Sequence, residues 1–142
     1  MKKTILILFF CSAIFAQKNE KTLINFDGIY ETKCNFDDDE KDGDKSFLRF
    51  YPDGKVLSVG TECDATVSDL KDWFNMEMEF PSVGNYEIKG RKIRFSSTSK
   101  SGTVNYKGRV NKKGALKLRI KSLINGYRHT EEYNFTKIIQ PK

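Results

Sequence analysis

From residue 84 onward the chain repeats one device: a short run of alternating apolar and polar residues, a glycine-containing turn, and another such run. The runs span 85–89, 91–97, 104–110, 116–123 and 128–138, and Lys89-Gly90, Asn111-Lys112-Lys113-Gly114 and Asn125-Gly126 punctuate them. Strands this close in sequence cannot lie parallel, because a parallel crossover consumes a dozen or more residues. They form an antiparallel meander, and a meander of this length curls into a sandwich or closes into a barrel. The fold class is therefore far better constrained than the function.

The first residues stand apart from this pattern. Lys2 and Lys3 precede an apolar run over 4–15, and Ala16 offers a small residue for cleavage before Gln17. Residues 1–16 read as a secretory signal peptide, with a run too short to span a bilayer. Bulky Phe9 and Phe10 before Cys11 argue against lipoprotein anchoring through that cysteine. The remaining residues, 17–142, suit one domain, exported to the periplasm or outside the cell, with no transmembrane segment. They retain two cysteines, Cys34 and Cys63, and in an oxidising compartment these are expected to form one disulfide.

The N-terminal half supplies three more strands, 26–33, 46–51 and 55–61, with Pro52-Asp53-Gly54 as a tight turn. The period then changes. Val67, Leu70 and Trp73/Phe74 are spaced three and four apart, which predicts one face of a short helix capped by Thr66 or Ser68, with Asp69 in its first turn. The chain thus reads as all-β, with eight antiparallel strands and one short helix between the third and fourth. Followed strand by strand, the helical connection, the loops over 35–45 and 97–103 and the Asn125-Gly126 turn fall at one end, with both cysteines. Pro52-Asp53-Gly54, Lys89-Gly90 and Asn111–Gly114 fall at the other. We call these ends upper and lower.

This arrangement resembles the small bacterial lipocalin-like proteins of the calycin kind. The likeness rests on Phe26-Asp27-Gly28-Ile29-Tyr30, on Leu48-Arg49-Phe50-Tyr51-Pro52-Asp53-Gly54, on Gly84-Asn85-Tyr86-Glu87-Ile88 and on Glu132-Tyr133-Asn134-Phe135. Tyr30 stands where lipocalins favour tryptophan. The stretches Trp73-Phe74, Gly102-Thr103-Val104-Asn105-Tyr106 and Ile124-Asn125-Gly126-Tyr127 are also similar to secreted proteins of this shape, which carry no known activity to transfer. The resemblance implies an eight-stranded up-and-down β-barrel. It implies nothing specific about chemistry, because fold and function are separable.

Alternation sorts the side chains into two sets. Ile93 and Phe95, Val104 and Tyr106, Leu116, Leu118 and Ile120, and Tyr133 and Phe135 are expected inside. An eight-stranded barrel is either filled by such side chains or holds one small ligand. In the second case a small, partly apolar ligand sits at the upper mouth among Leu70, Trp73, Phe74, Tyr86, Phe95, Tyr106 and Tyr133, with the helix as lid or plug. The tyrosines would add hydroxyl contacts.

The outward set of the same strands is basic: Lys92, Arg94, Lys107, Arg109, Lys117, Arg119 and Lys121. The formal charge of +6 conceals a net −8 over residues 17–84 and a net +12 over 85–142. Such a face attracts an anionic glycan or an acidic protein, while the export signal argues against nucleic acid. Over 37–44, Asp38, Glu40, Asp42 and Gly43 imitate the opening of a calcium loop. The bidentate acid position falls on Arg49, so a hydrated acidic loop is expected, with no metal site. The single histidine, His129, stands without a nucleophile motif, a phosphate loop or a ligand cluster. No catalytic residue, enzyme activity or cofactor is expected.

Overall fold

The inward residues of eight consecutive strands meet because the sheet closes on itself. In the computed structural model, which describes residues 23–36, 42–66, 69–70, 74 and 81–138, the strands are β1 (Gly28–Glu31), β2 (Asp44–Phe50), β3 (Lys55–Glu62), β4 (Ser82–Lys89), β5 (Lys92–Ser99), β6 (Gly102–Val110), β7 (Leu116–Ser122) and β8 (Arg128–Lys137). Every neighbour pairs antiparallel in chain order, and β1 pairs with β8 to complete an up-and-down barrel. Tyr30 faces Leu48 on one side and Phe135 on the other, so the closing seam carries the same inward parity as the rest.

Strand limits differ from the expected ones where the ladder, and not the alternation, decides. β1 stops at Glu31 because Thr32 and the residues after it turn towards the disulfide; Thr32 N still donates to Ser46 O and Thr32 Oγ1 accepts from Ser46 N, both at 3.0 Å. β4 starts at Ser82, since Ser82–Asn85 find partners along Ser58–Lys55. The loop expected over 97–103 contracts to a tight hairpin in which Ser99 pairs with Gly102, and Gly102 takes a φ of +133° that an L side chain rarely adopts. Gly108 has a different task. A Cβ there would run into the Lys117 carbonyl and lie 2.9 Å from Leu118 Cα, so only glycine lets β6 and β7 approach this closely.

Two apolar cores result. The interior core joins Ile24, Tyr30, Leu48, Phe50, Val56, Ile93, Phe95, Tyr106, Val110, Leu116, Leu118, Ile120 and Tyr133, with Phe26, Tyr86, Ile88, Val104 and Phe135 against it. Each residue expected inside belongs to it. Ile24 and Phe26, just before β1, join it from the lower end, where Asn25 N donates to Tyr30 OH at 3.0 Å.

The second core lies on the outer face of β1–β3: Ile29, Phe47 and Leu57, with Leu70 and Phe74 packed on them. The adjacent apolar pairs Ile29-Tyr30, Phe47-Leu48 and Val56-Leu57 explain it, because each places one side chain inside and the other outside. Val56 faces inward and Leu57 outward, yet both are fully buried.

The expected helix falls largely outside the described residues, as do Trp73, the signal segment and the acidic run 37–41. Thr66 and Asp69 make the reciprocal contacts of a capping box: Thr66 N and Oγ1 donate to Asp69 Oδ2 at 2.8 and 2.6 Å, and Asp69 N donates to Thr66 Oγ1 at 3.3 Å. These bonds hold the Asp69 carboxyl below its usual range. Leu70 N then donates to Thr66 O and Phe74 N to Leu70 O. Leu70 is 1% exposed on the outer sheet face, so Leu70→Ala is expected to cost about 2–3 kcal/mol in chemical denaturation. An unchanged denaturation midpoint would contradict this packing.

Cys34 and Cys63 form a disulfide with a Cα–Cα distance of 5.6 Å. It ties the exits of β1 and β3 together beside the Asn35–Asp44 bridge. No described helix is long and apolar enough to cross a membrane.

Candidate functional site: a basic groove on the outer wall

The sequence directs attention to the barrel interior and to its basic outer wall, and the structure treats them differently. Inside, Tyr86, Phe95, Tyr106 and Tyr133 come together, but largely to pack on one another and on their neighbours. Phe50 meets Tyr30, Tyr86 and Phe95 edge-on, with centroids 5.4, 5.1 and 5.7 Å apart, and Phe95 stacks on Tyr106 at 4.4 Å. Tyr86 OH donates to Tyr51 O at 2.9 Å, and Tyr106 OH pairs with Ser58 Oγ at 3.0 Å. Burial raises the Tyr133 hydroxyl far above its ordinary range; Tyr106 and the Glu131 carboxylate add to this, and the Ser46 hydroxyl opposes it. Leu70 and Phe74 are not in this group. They belong to the outer core over β1–β3, separated from the four aromatic residues by the barrel wall. The structure thus divides the expected ligand wall between two places.

The outer wall of β4–β8 carries a groove of about 660 Å3. Its lining follows from strand register. One row across the sheet reads Lys89, Lys92, Arg109 and Lys117, each directly opposite the next. The row above reads Glu87, Arg94, Lys107, Arg119 and Thr130, again in register. All nine line the groove, with Ile93 and Gly108 at its floor. Six of the seven residues expected on the basic face are present, and Lys121 lies one row higher, opposite Asn105 and Arg128. Lys89 is an addition that sequence reading missed, because it sits in the Lys89-Gly90 turn signal at the end of its strand. A shallower depression of about 480 Å3 continues the groove upward along Asn85, Ser96 and Asn105.

The electrostatics are largely one-sided, although the first row runs on to Glu132, directly opposite Lys117 on β8. Two rows contain five directly opposed cation pairs: Lys89/Lys92, Lys92/Arg109, Arg109/Lys117, Arg94/Lys107 and Lys107/Arg119. Like charges opposite one another destabilise a sheet. Among the described lining residues only Glu87 answers them, with Arg94 Nη2 2.6 Å and Arg94 Nε 2.8 Å from Glu87 Oε2. That pair is well exposed and so contributes little to stability. Neighbouring strands lie about 4.8 Å apart, so the cations form a lattice at roughly that spacing, suited to several anionic groups at once.

The chain matches no protein-family model and no curated protein sequence. The reading of its function therefore rests on this geometry.

Proposed function

We propose that this chain is an exported, non-enzymatic binding module of lipocalin-like kind, with a short helix between β3 and β4, and that its outer groove docks an anionic glycan. The observation that carries the reading is the cation lattice itself. Five opposed like-charge pairs cost folding stability, and an anionic partner turns that cost into affinity. The disulfide accords with an oxidising compartment, which makes an envelope or extracellular polyanion the fitting partner class. The interior favours this reading over a small apolar ligand, because the aromatic rings expected to line its site spend their faces on one another.

Binding to polygalacturonate, an acidic polysaccharide, tests the proposal. Affinity should fall steeply as salt rises, because exposed charges are screened beyond about 8 Å at physiological ionic strength. The double variant K117E/R119E should bind at least about tenfold more weakly, a loss of roughly 1.4 kcal/mol. It should still fold as a barrel, since it removes the Arg109/Lys117 and Lys107/Arg119 like-charge contacts while setting one new carboxylate opposite Glu132. Binding that survives high salt, or that the double variant retains, would overturn the reading. Selective capture of an acidic protein, with none of polygalacturonate, would replace the glycan with a protein partner.

A further inference from the structure

The two ends of the barrel differ in surface. The lower turns, Pro52-Asp53-Gly54, Lys89-Gly90 and Asn111-Lys112-Lys113-Gly114, carry no large apolar side chain. Among the described residues six large apolar side chains are exposed, and the four that are more than half exposed all lie at the upper end: Phe36, Leu123, Ile124 and Tyr127, at 71%, 54%, 55% and 62%. Three of these four belong to the turn between β7 and β8. Exposed apolar residues scattered singly need no explanation, whereas a cluster on one turn marks a contact with something else.

Hydrogen bonds fix this tip. Ile124 N donates to Ser122 Oγ at 3.2 Å, Gly126 N to Ser122 O at 3.1 Å, and Tyr127 N to Asn125 Oδ1 at 3.1 Å. Leu123 N donates to Thr103 O at 2.9 Å, which ties the tip to the β5–β6 hairpin beside it. Gly102 in that hairpin gives Ile124 its seat, since a Cβ on residue 102 would come within 2.7 Å of Ile124 Cγ1. The Tyr127 ring lies 5.0 Å from that of His129. The three side chains are thus held exposed in one arrangement, and little chain ordering opposes their burial in a partner.

The charge beneath the tip has one sign. Lys121 and Arg128, both exposed, stand directly opposite each other where the strands enter the turn. No Asp or Glu occurs between Glu87 and Glu131, so neither of the two upper hairpins carries a carboxylate. Asp42, Asp44, Glu62 and Asp64 stand on the other side of the rim, beside the upper ends of β2 and β3. An anionic surface therefore attracts the β5–β8 side of the upper end and repels the other, which brings the apolar tip forward.

We propose that the β7–β8 tip is a membrane-surface anchor: Leu123, Ile124 and Tyr127 enter the interface of an anionic bilayer, and Lys121 and Arg128 meet its phosphate headgroups. Aliphatic side chains gain burial at the boundary between headgroups and acyl chains, and a tyrosine keeps its hydroxyl among the headgroups. Each cation held near an anionic leaflet adds attraction. A protein partner fits less well, because three side chains on a narrow turn bury far less than the roughly 1,200 Å2 of a stable protein interface. The anchor does not depend on the groove below it or on the glycan assigned to that groove.

Flotation of the mature protein with lipid vesicles tests this. Vesicles of phosphatidylcholine with about 30% phosphatidylglycerol should bind it at least about tenfold more tightly than pure phosphatidylcholine. The variant L123S/I124S, which leaves every charge in place, should weaken that binding at least about tenfold. A second measurement needs no variant: bicelles of the same lipids carrying a doxyl spin label should broaden the amide signals of Leu123, Ile124 and Gly126 and spare Gly54 and Lys112 at the lower end. Equal binding to neutral and anionic vesicles, full binding by L123S/I124S, or broadening strongest at Lys107 and Lys117 would each overturn the proposal. A dimer in sedimentation that L123S/I124S dissolves, with no flotation, would assign the tip to a second copy instead. Polygalacturonate binding reads the groove, which L123S/I124S leaves intact, so the two proposals can fail separately.

Discussion

Phe50→Ala is expected to be the most damaging single truncation in the barrel interior, with a loss of about 4 kcal/mol and a melting temperature lowered by roughly 12 °C. Phe50 is 1% exposed and meets Tyr30, Tyr86 and Phe95, with interplanar angles of 89°, 85° and 90°. Burial of a phenylalanine and the cavity left on truncation account for most of the loss, and each edge-on contact adds about 0.5–1.5 kcal/mol beyond its area. Phe135 serves as the comparison. It is partly buried and has one of these ring contacts, with Tyr30 at 5.2 Å, so Phe135→Ala should cost clearly less. Thermal and urea unfolding followed by circular dichroism measure both. Equal losses for the two variants, or a loss below about 1 kcal/mol for Phe50→Ala, would mean that the ring layer is not the centre of the core.

Removal of the disulfide should come second. Cys34 and Cys63 are separated by 29 positions, and the chain-entropy relation assigns closure of such a loop about 3.5 kcal/mol. The paired variant C34S/C63S should therefore unfold at lower urea. It should also show a larger slope, because the denatured chain without its crosslink exposes more surface. A local effect should accompany the global one. Asn35 and Asp44 exchange backbone hydrogen bonds of 2.9 and 2.8 Å next to Cys34, and Cys63 N donates to Gly43 O at 2.9 Å. Amide exchange at Asn35, Asp44 and Cys63 should accelerate first, while Leu116 and Leu118 at the far wall hold their protection. An unchanged urea midpoint would place the stability of this end in its hydrogen bonds alone.

Much of the molecule is legible in the chain because alternation is a local property. From Ile93 to Phe135 each inward residue can be read from its parity with its neighbours, and six of the seven basic residues expected on the wall line one groove. The pairing of Cys34 with Cys63 follows as directly, since strand direction brings both exits to the same end. The misplacements share one cause. Where apolar residues stand side by side, as in Phe47-Leu48 and Val56-Leu57, parity gives no preference for either face. The outer core, and the position of Leu70 and Phe74 upon it, were hidden for that reason. Ser97 was hidden differently. Parity with Ile93 and Phe95 turns it inward, but nothing in Ser96-Ser97-Thr98-Ser99 marks it as the residue whose hydroxyl ends without a partner.

The chain by itself thus determined the antiparallel meander, its turns and the sorting of basic from apolar side chains over the second half. Those follow from strand period, turn chemistry and charge, each settled within a few residues. Only the tertiary structure decided that β1 closes on β8, with Tyr30 opposite Phe135. It alone set cation against cation in rows, brought Phe50 against three other rings, and packed Leu70 and Phe74 on the outside of the wall. Each of these depends on register between segments distant in sequence, and register is decided by the free energy of the whole closed sheet.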